Sequence, residues 1–518
     1  MDLSTLLILL PVAPLVMSLI MFIMPPSKVS LAAYECMHVL SIAAVGVLGI
    51  YLVYAEFTSG EAITAVNMWF RIDSLSAIFV ALIAVIGLLV GIFSIPYIRQ
   101  DVEEEKLNQR MVRNYYAFFS LFLFTMLLTA ISNNIIMMWV CVEATTLATV
   151  FLVGVYETKL ALEAAWKYVI VCTAGVAFGL YGTLLVYANA ADVMADNTQA
   201  ALWTAIVPIA DQLDPTLMAI AFTFIVIGFG TKAGLFPMHT WLPDAHSEAP
   251  SPVSALLSGV LLKCAVLMVI RFYIIIVQCI GTTYPSILLI TLAIIGICVA
   301  AVSMYRQSDI KRMLAYSSVE NICIVFLALG FGGPIGIAAC LLHCVFHGLT
   351  KALMFCLSGN LLMKYDTRDL EKIQGVAEVA PATATLLCIG FFTLGGFPPF
   401  AVFTSEVATF LAGFAGGFYA ILVILAIALT VVVAAVVRVV AKSVFSKAPA
   451  DKKKGDVPAM ALVPEILLAV LVVWFGVAMP QPLADGVDNA TSIVLQEEVD
   501  TLDSGSLLSD LAAEYNEN

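Results

Sequence analysis

Fourteen apolar runs, each near the length that crosses a bilayer as a helix, dictate what this chain can become. A spanning helix takes about 20 residues, because hydrocarbon leaves the backbone's polar groups no partner except one another. The runs lie near 3–24, 31–55, 74–97, 115–131, 133–155, 161–188, 216–237, 253–275, 284–303, 312–330, 333–357, 378–411, 415–440 and 458–479. Only Ser132-Asn133-Asn134 divides the fourth from the fifth. The run at 378–411 is too long for one straight helix, and Gly395-Gly396-Phe397-Pro398-Pro399 breaks it. The expected fold is an all-α polytopic membrane protein of about fourteen transmembrane helices. Composition excludes a soluble domain: 12% of residues are charged and 62% hydrophobic, where a soluble chain carries about a quarter charged. The first run has no basic start and no small-residue cleavage site, so it is expected to stay as a span rather than be removed as a signal peptide.

Charge is unevenly placed. Of the net −13, nine negative charges fall in residues 481–518, among them Asp485, Asp488, Asp503, Asp510, Glu514 and Glu517, with no Lys or Arg. We expect a transmembrane domain over 1–480 and an acidic, disordered tail over 481–518, a balance that argues against nucleic-acid partners. Of the 24 Lys and Arg, four lie inside runs, and only Arg71 and Arg271 fall on the side shared by the termini. The other eighteen lie on the opposite side, which by the positive-inside rule puts both termini outside. The eleven cysteines sit almost all in apolar runs without a C-x-x-C, so neither disulfides nor iron–sulfur ligation is expected.

The stretch from the seventh run into the eighth holds the densest chemistry. Gly228 to Ile270 carries Lys232 and Lys263 in apolar surroundings, with Pro237, Pro243, Pro250 and Pro252 interrupting the helix between them. A lysine at mid-membrane costs roughly 2.5–3.5 kcal/mol even on the lenient scale, and broken backbone there must be covered by protein or line a wet cavity. Ala233-Gly234-Leu235-Phe236-Pro237 resembles Leu394-Gly395-Gly396-Phe397-Pro398 in the twelfth run, which crosses in the opposite direction. Two oppositely directed broken helices, 7 and 12, point to inverted repeats over about 115–275 and 284–440.

Other intramembrane charges extend the set. Glu143 lies near mid-bilayer and needs a cationic partner, for which Lys232 is the best candidate; its structural alternative is a fixed ion pair. Lys167, about two turns from the basic side, is either part of the path or a snorkelling side chain. His343, His347 and Lys351 repeat at i, i+4 and i+8, forming one polar stripe on an apolar helix. With Cys340 and Cys344 the spacing invites a metal, but ligands strung along one straight helix cannot converge tetrahedrally. We prefer a proton wire through imidazoles over a packed histidine pair. Glu406 follows the second break. His239, Asp244 and His246, with Glu248, follow the first and read equally well as a proton uptake point or a solvated loop. His38 reads as packed, and Glu320 has no assigned role.

These residues resemble the antiporter-like subunits shared by respiratory complex I, Mrp-type cation/proton antiporters and group 4 [NiFe] hydrogenases. The likeness covers about 65–440 and rests on Asp73-Ser74-Leu75-Ser76, Glu143, Ala164-Ala165-Trp166-Lys167-Tyr168, Thr231-Lys232-Ala233-Gly234-Leu235-Phe236-Pro237, Asp309-Ile310-Lys311-Arg312-Met313-Leu314 and the His343/His347/Lys351 helix. Its wording is most similar to the component F type of hydrogenase-4. The resemblance implies two inverted five-helix bundles, a Glu143–Lys232 gating pair, Lys263 as central relay and Glu406 as the terminal group toward the outside. It also implies a subunit without redox chemistry or cofactor of its own, in a prokaryotic inner membrane. Its partners would be other membrane subunits and, through them, a hydrogenase and iron–sulfur arm of formate-hydrogenlyase type. A Mrp-type or standalone cation/proton antiporter and a non-transporting scaffold are the alternatives.

Overall fold

The structure is a computed structural model that describes residues 2–26, 29–450, 452–500 and 502. Helices α1 (Leu3–Ile23), α2 (Leu31–Ser59), α3 (Ser74–Glu103), α4 (Gln109–Ile131), α5 (Ile135–Val153) and α6 (Lys159–Val193) open the chain. A two-stranded hairpin, Ile63–Ala65 with Phe70–Ile72, joins α2 to α3. The seventh span is α7 (Pro215–Ala233) continued after a break by α8 (Trp241–Glu248). Then come α9 (Ser251–Ile280), α10 (Thr283–Arg306), α11 (Ile310–Phe331) and α12 (Gly333–Tyr365). The twelfth span is split into α13 (Pro381–Leu394) and α14 (Ala401–Ala415), followed by α15 (Tyr419–Val444) and α16 (Ala459–Val477). Thirteen helices among the described residues are long and apolar enough to cross a membrane. Together with the split pair α13–α14 they make the fourteen expected spans.

Polar residues set where these helices begin. Asp73 caps α3 by accepting from the Ser76 N–H while the Ser76 hydroxyl serves the Asp73 N–H, a reciprocal capping box. Asp214 and Asp309 cap α7 and α11 in the simpler way. Both broken spans stop through the same turn. At the first, Leu235 N–H reaches Gly230 O, Gly234 N–H reaches Thr231 O, and Gly234 sits at φ +82°. At the second, Phe397 N–H reaches Phe392 O, Gly396 N–H reaches Thr393 O, and Gly396 sits at φ +64°. This is the Schellman arrangement, which favours glycine at the left-handed position. It equates Gly234 with Gly396, and so Pro237 with Pro399, one residue away from the register expected from sequence.

Helices α9, α11 and α12 are enclosed along nearly their whole apolar length, whereas α1, α15 and α16 turn most of theirs outward. The enclosed trio is the core against which both broken spans pack. Close approach between α6 and α7 depends on glycine: a Cβ on Gly228 would lie 2.2 Å from Gly179 N. One expectation fails. The stretch expected to be a disordered tail begins as α17 (Gln481–Leu495), which lies against α3 and α12, with Val487 and Ala490 buried. Its apolar residues form a stripe, which gave the segment a face to bury. Asp503, Asp510, Glu514 and Glu517 lie outside the described residues.

Candidate functional site

The last turn of α7 carries Lys232, fully buried, where the carbonyl end of a helix favours a cation. Its ammonium donates to Thr146 Oγ1 of α5 at 2.8 Å and to the Tyr168 hydroxyl of α6 at 2.6 Å. The Tyr168 ring lies 4.8 Å away. Trp241 seals the break, its indole N–H meeting Thr231 O at 2.9 Å. Glu143, one turn before Thr146 on α5, accepts from Thr173 at 2.8 Å, and its other oxygen is buried without a partner.

Lys263 follows a π-helical turn in α9, Leu257–Leu261, and its ammonium donates to Ser258 O inside that turn. Such turns recur at functional sites because they redirect side chains and carbonyls. The Ser258 hydroxyl meets the Ser318 hydroxyl of α11 at 2.7 Å, and Ser318 donates to Leu314 O at 3.0 Å. Lys351 of α12 donates to that same carbonyl at 3.0 Å. Lys263 and Lys351, both fully buried, are thus joined by two serines and two carbonyls.

From there the polar groups continue along α11 and α12. Glu320 lies in electrostatic range of Lys351 and accepts from the Asn321 amide. Asn321 Oδ1 meets His343 Nε2 at 3.2 Å, and His343 Nδ1 meets the Ser405 hydroxyl of α14 at 2.9 Å. His347 stacks on His343 with ring centres 6.1 Å apart, both of its nitrogens buried and unpartnered. Glu406, next to Ser405, lies over Gly396, where a Cβ would come within 2.1 Å of its carboxylate. It borders a cavity of about 330 Å³ between the second break and α15.

Residues 132–432, more than half of the chain, match the family described as NADH:quinone oxidoreductase/Mrp antiporter, TM. The chain belongs to that antiporter family. A second match, over 60–106, is to the complex I chain 5 N-terminus. A hydrogenase-4 component F homolog of Methylacidiphilum infernorum is 39% identical over 67% of this chain and 73% of the relative. NADH-quinone oxidoreductase subunit N of Desulforudis audaxviator is 26% identical over 81% and 84%. Among solved structures, a chain of the archaeal membrane-bound sulfane sulfur reductase superposes with TM-score 0.82 at 23% identity, covering 98% of this chain and 99% of that one. A chain of Thermus thermophilus complex I gives 0.78 at 20% identity, covering 94% and 99%. At those identities the superpositions show the fold.

Within this antiporter-like fold, Lys232, Lys263, Lys351, His343, His347 and Glu406 fall along the protein interior. Three sequence expectations need correcting. Glu143 and Lys232 form no ion pair within 4 Å among the described residues; the ammonium donates instead to Thr146 and Tyr168, and Glu143 accepts from Thr173. Lys167 stands apart from the buried groups: half exposed on the basic side, it pairs with Glu163 at 2.8 Å and Asp244 at 3.1 Å, the behaviour of a snorkelling lysine. Asp244, in the first turn of α8, is held by Lys167 and Arg312, so it is a clamped anchor rather than a free carboxylate. His239 is buried against Phe236, and His246 is fully buried on Phe355. His38 is packed, bonded to Gly91 O.

Sequence reasoning passed over Tyr168 and the Ser258–Ser318 pair, which carry no charge to draw attention. It also passed over Glu465, fully buried in α16 with Asn360 donating at 2.7 Å, although a lone carboxylate in an apolar run was a visible signal. Arg271, grouped by sequence with Arg71, lies within α9 and pairs with Asp73, the carboxylate that Arg71 also meets.

Proposed function

We propose that this chain is a proton-translocating membrane-arm subunit of a redox-driven complex of the group 4 [NiFe] hydrogenase, or formate-hydrogenlyase, type. The observation that carries the reading is the run of buried polar groups from Lys263 by Ser258, Ser318 and Leu314 O to Lys351, with Glu320 in its electrostatic range, and from Glu320 by Asn321 and His343 to Ser405, the chain neighbour of Glu406. A buried ammonium whose partners are neutral hydroxyls and carbonyls is free of the carboxylate that would pin its proton. Two unit charges 4 Å apart at an effective dielectric of 20 attract by about 4 kcal/mol. Bringing Glu143 to Lys232 therefore holds the proton on the lysine, and separating them, as they stand here, frees it to move inward. Lys263 receives it, water carries it past Ser258 O and Leu314 O, which only accept, to Lys351, and Glu406 releases it toward the side of the termini.

Likeness to the hydrogenase-4 relative supports the choice of complex, and eighteen basic residues on one side support an inner membrane with both termini outside. Partners would be other membrane subunits and a peripheral hydrogenase arm. Lys263→Ala in the assembled complex should abolish proton release while substrate turnover continues or slows. Normal proton stoichiometry in that variant overturns the relay. Co-purification of a nickel–iron hydrogenase arm separates this reading from that of a Na⁺/H⁺ antiporter. The antiporter reading draws on 27% identity to one Na⁺/H⁺ antiporter subunit of Alkalihalophilus pseudofirmus, over 79% of this chain and 52% of that protein.

A further inference from the structure

A cavity of about 390 Å³ opens on the basic side, among the ends of α3 and α12 and the α5–α6 and α8–α9 connections. Two of its carboxylates are paired, Glu104 with Lys106 at 2.7 Å and Glu248 with Arg368 at 3.0 Å. Asp101, 7% exposed at the cavity floor, has no cation within 4 Å among the described residues and accepts from the Tyr156 hydroxyl at 2.6 Å. Tyr156 meets the Tyr97 hydroxyl at 3.3 Å, Tyr97 faces Ser251, and Ser251 meets Ser358 at 3.5 Å, both serines fully buried. Ser358 stands two turns beyond Lys351 on the same face of α12. Phe355 separates them, and over it stacks His246 at 4.9 Å, with neither ring nitrogen partnered. Lys311, whose ammonium meets Ala249 O on the cavity wall, and Lys351 both lie in electrostatic range of that imidazole.

We propose that this cavity is a second proton inlet, taking protons at Asp101 and passing them through Tyr156, Tyr97, Ser251, Ser358 and His246 to Lys351. It loads Lys351 without using Lys232 while the first inlet loads Lys263, and release at Glu406 requires both lysines loaded, so closing either inlet stops uptake; it rests on the relay reading above. Each hydroxyl gains a proton on its oxygen and gives up its own hydrogen. Neither nitrogen of His246 has a protein partner, so water carries the proton from Ser358 to one nitrogen and from the other to Lys351, and a neutral Lys351 ends as an ammonium. The charged groups facing the path are Glu104, Lys106, Glu248, Lys311 and Arg368 at the cavity, with Lys263 and Lys351 beyond His246.

The test uses the assembled complex in vesicles. Asp101→Asn and Tyr97→Phe should each lower proton uptake from the basic side at least about tenfold, and Asp101→Glu should restore it. In a Cys36→Ser background, Gln100→Cys at the cavity wall should pump normally until a membrane-impermeant cationic methanethiosulfonate is added on the basic side, then lose uptake. That arm decides the matter if Asp101→Asn does not assemble. Full uptake in Tyr97→Phe and in labelled Gln100→Cys, with Lys263→Ala inactive, overturns the inlet and leaves the relay standing. Full uptake in Lys263→Ala overturns both.

Discussion

Two groups of buried charge stand about equally far from solvent and are partnered in opposite ways. Near the terminal side, Arg271 grips Asp73 with two nitrogens, at 2.9 and 2.6 Å, and stacks on Trp203 at 4.4 Å. Arg71 adds a third contact to the carboxylate at 3.1 Å. In the interior, Lys232, Lys263 and Lys351 meet only hydroxyls and carbonyls. Burial alone would raise Asp73, but the guanidiniums of Arg271 and Arg71 hold its carboxyl well below the usual carboxylate range. The first arrangement is a lock between α3 and α9, since neither charge can leave without exposing the other. The second, in the relay we propose, leaves each proton exchangeable. What a buried charge is paired with, more than how deeply it lies, decides whether its proton is pinned.

The contrast breaks first at Asp73. Asp73→Asn leaves Arg271 buried without its counter-ion, a loss of about 3–5 kcal/mol by analogy with other buried pairs, and should appear as a sharp fall in membrane-assembled protein. Its retention at wild-type levels would make the lock dispensable. Lys351→Met should do the reverse, with folded protein and thermal midpoint near wild type and proton translocation lower by about a hundredfold or more. Equal damage to assembly and transport would merge the two classes. Tyr168→Phe removes one of two donors' targets from Lys232, a loss of about 1.5 kcal/mol for a hydrogen bond to a charged group, and should slow translocation roughly tenfold. The smallest effect concerns acidity. A carboxyl depressed on folding contributes stability above its unfolded pKa of about 3.9 and loses it as pH falls toward the folded value. The thermal midpoint contributed by the Asp73 lock should therefore not move between pH 7 and pH 5, and a decline there that Asp73→Asn abolishes would contradict it.

The architecture was legible because hydrocarbon imposes a length on every span and because Gly-Phe-Pro clusters stop helices wherever they occur. Lys232, Lys263 and Lys351 were legible for a related reason: a charge in an apolar run is costly enough to need a purpose. The neutral links were not. Serine and threonine in membrane helices routinely bond a carbonyl one turn back, as Thr149 and Thr409 do here, so nothing in the letters marks Ser258 and Ser318 as the pair that meets. Lys167 misled because a long side chain two turns from the surface can point inward or climb out, and Asp244 draws it out. The α17 segment misled because its acidity outweighed a modest apolar stripe.

The π turn at Leu257–Leu261 has a further consequence for α9. One surplus residue in a turn advances everything beyond it by about 100° around the axis. Deleting a single leucine there would regularise the helix and leave its composition nearly untouched, yet Ser251 and Ser254 before the turn and Lys263 and Arg271 beyond it could no longer all face their present neighbours. The helix thus contains its own phase correction, letting one rod aim its opening serines and its later cations at separate surroundings.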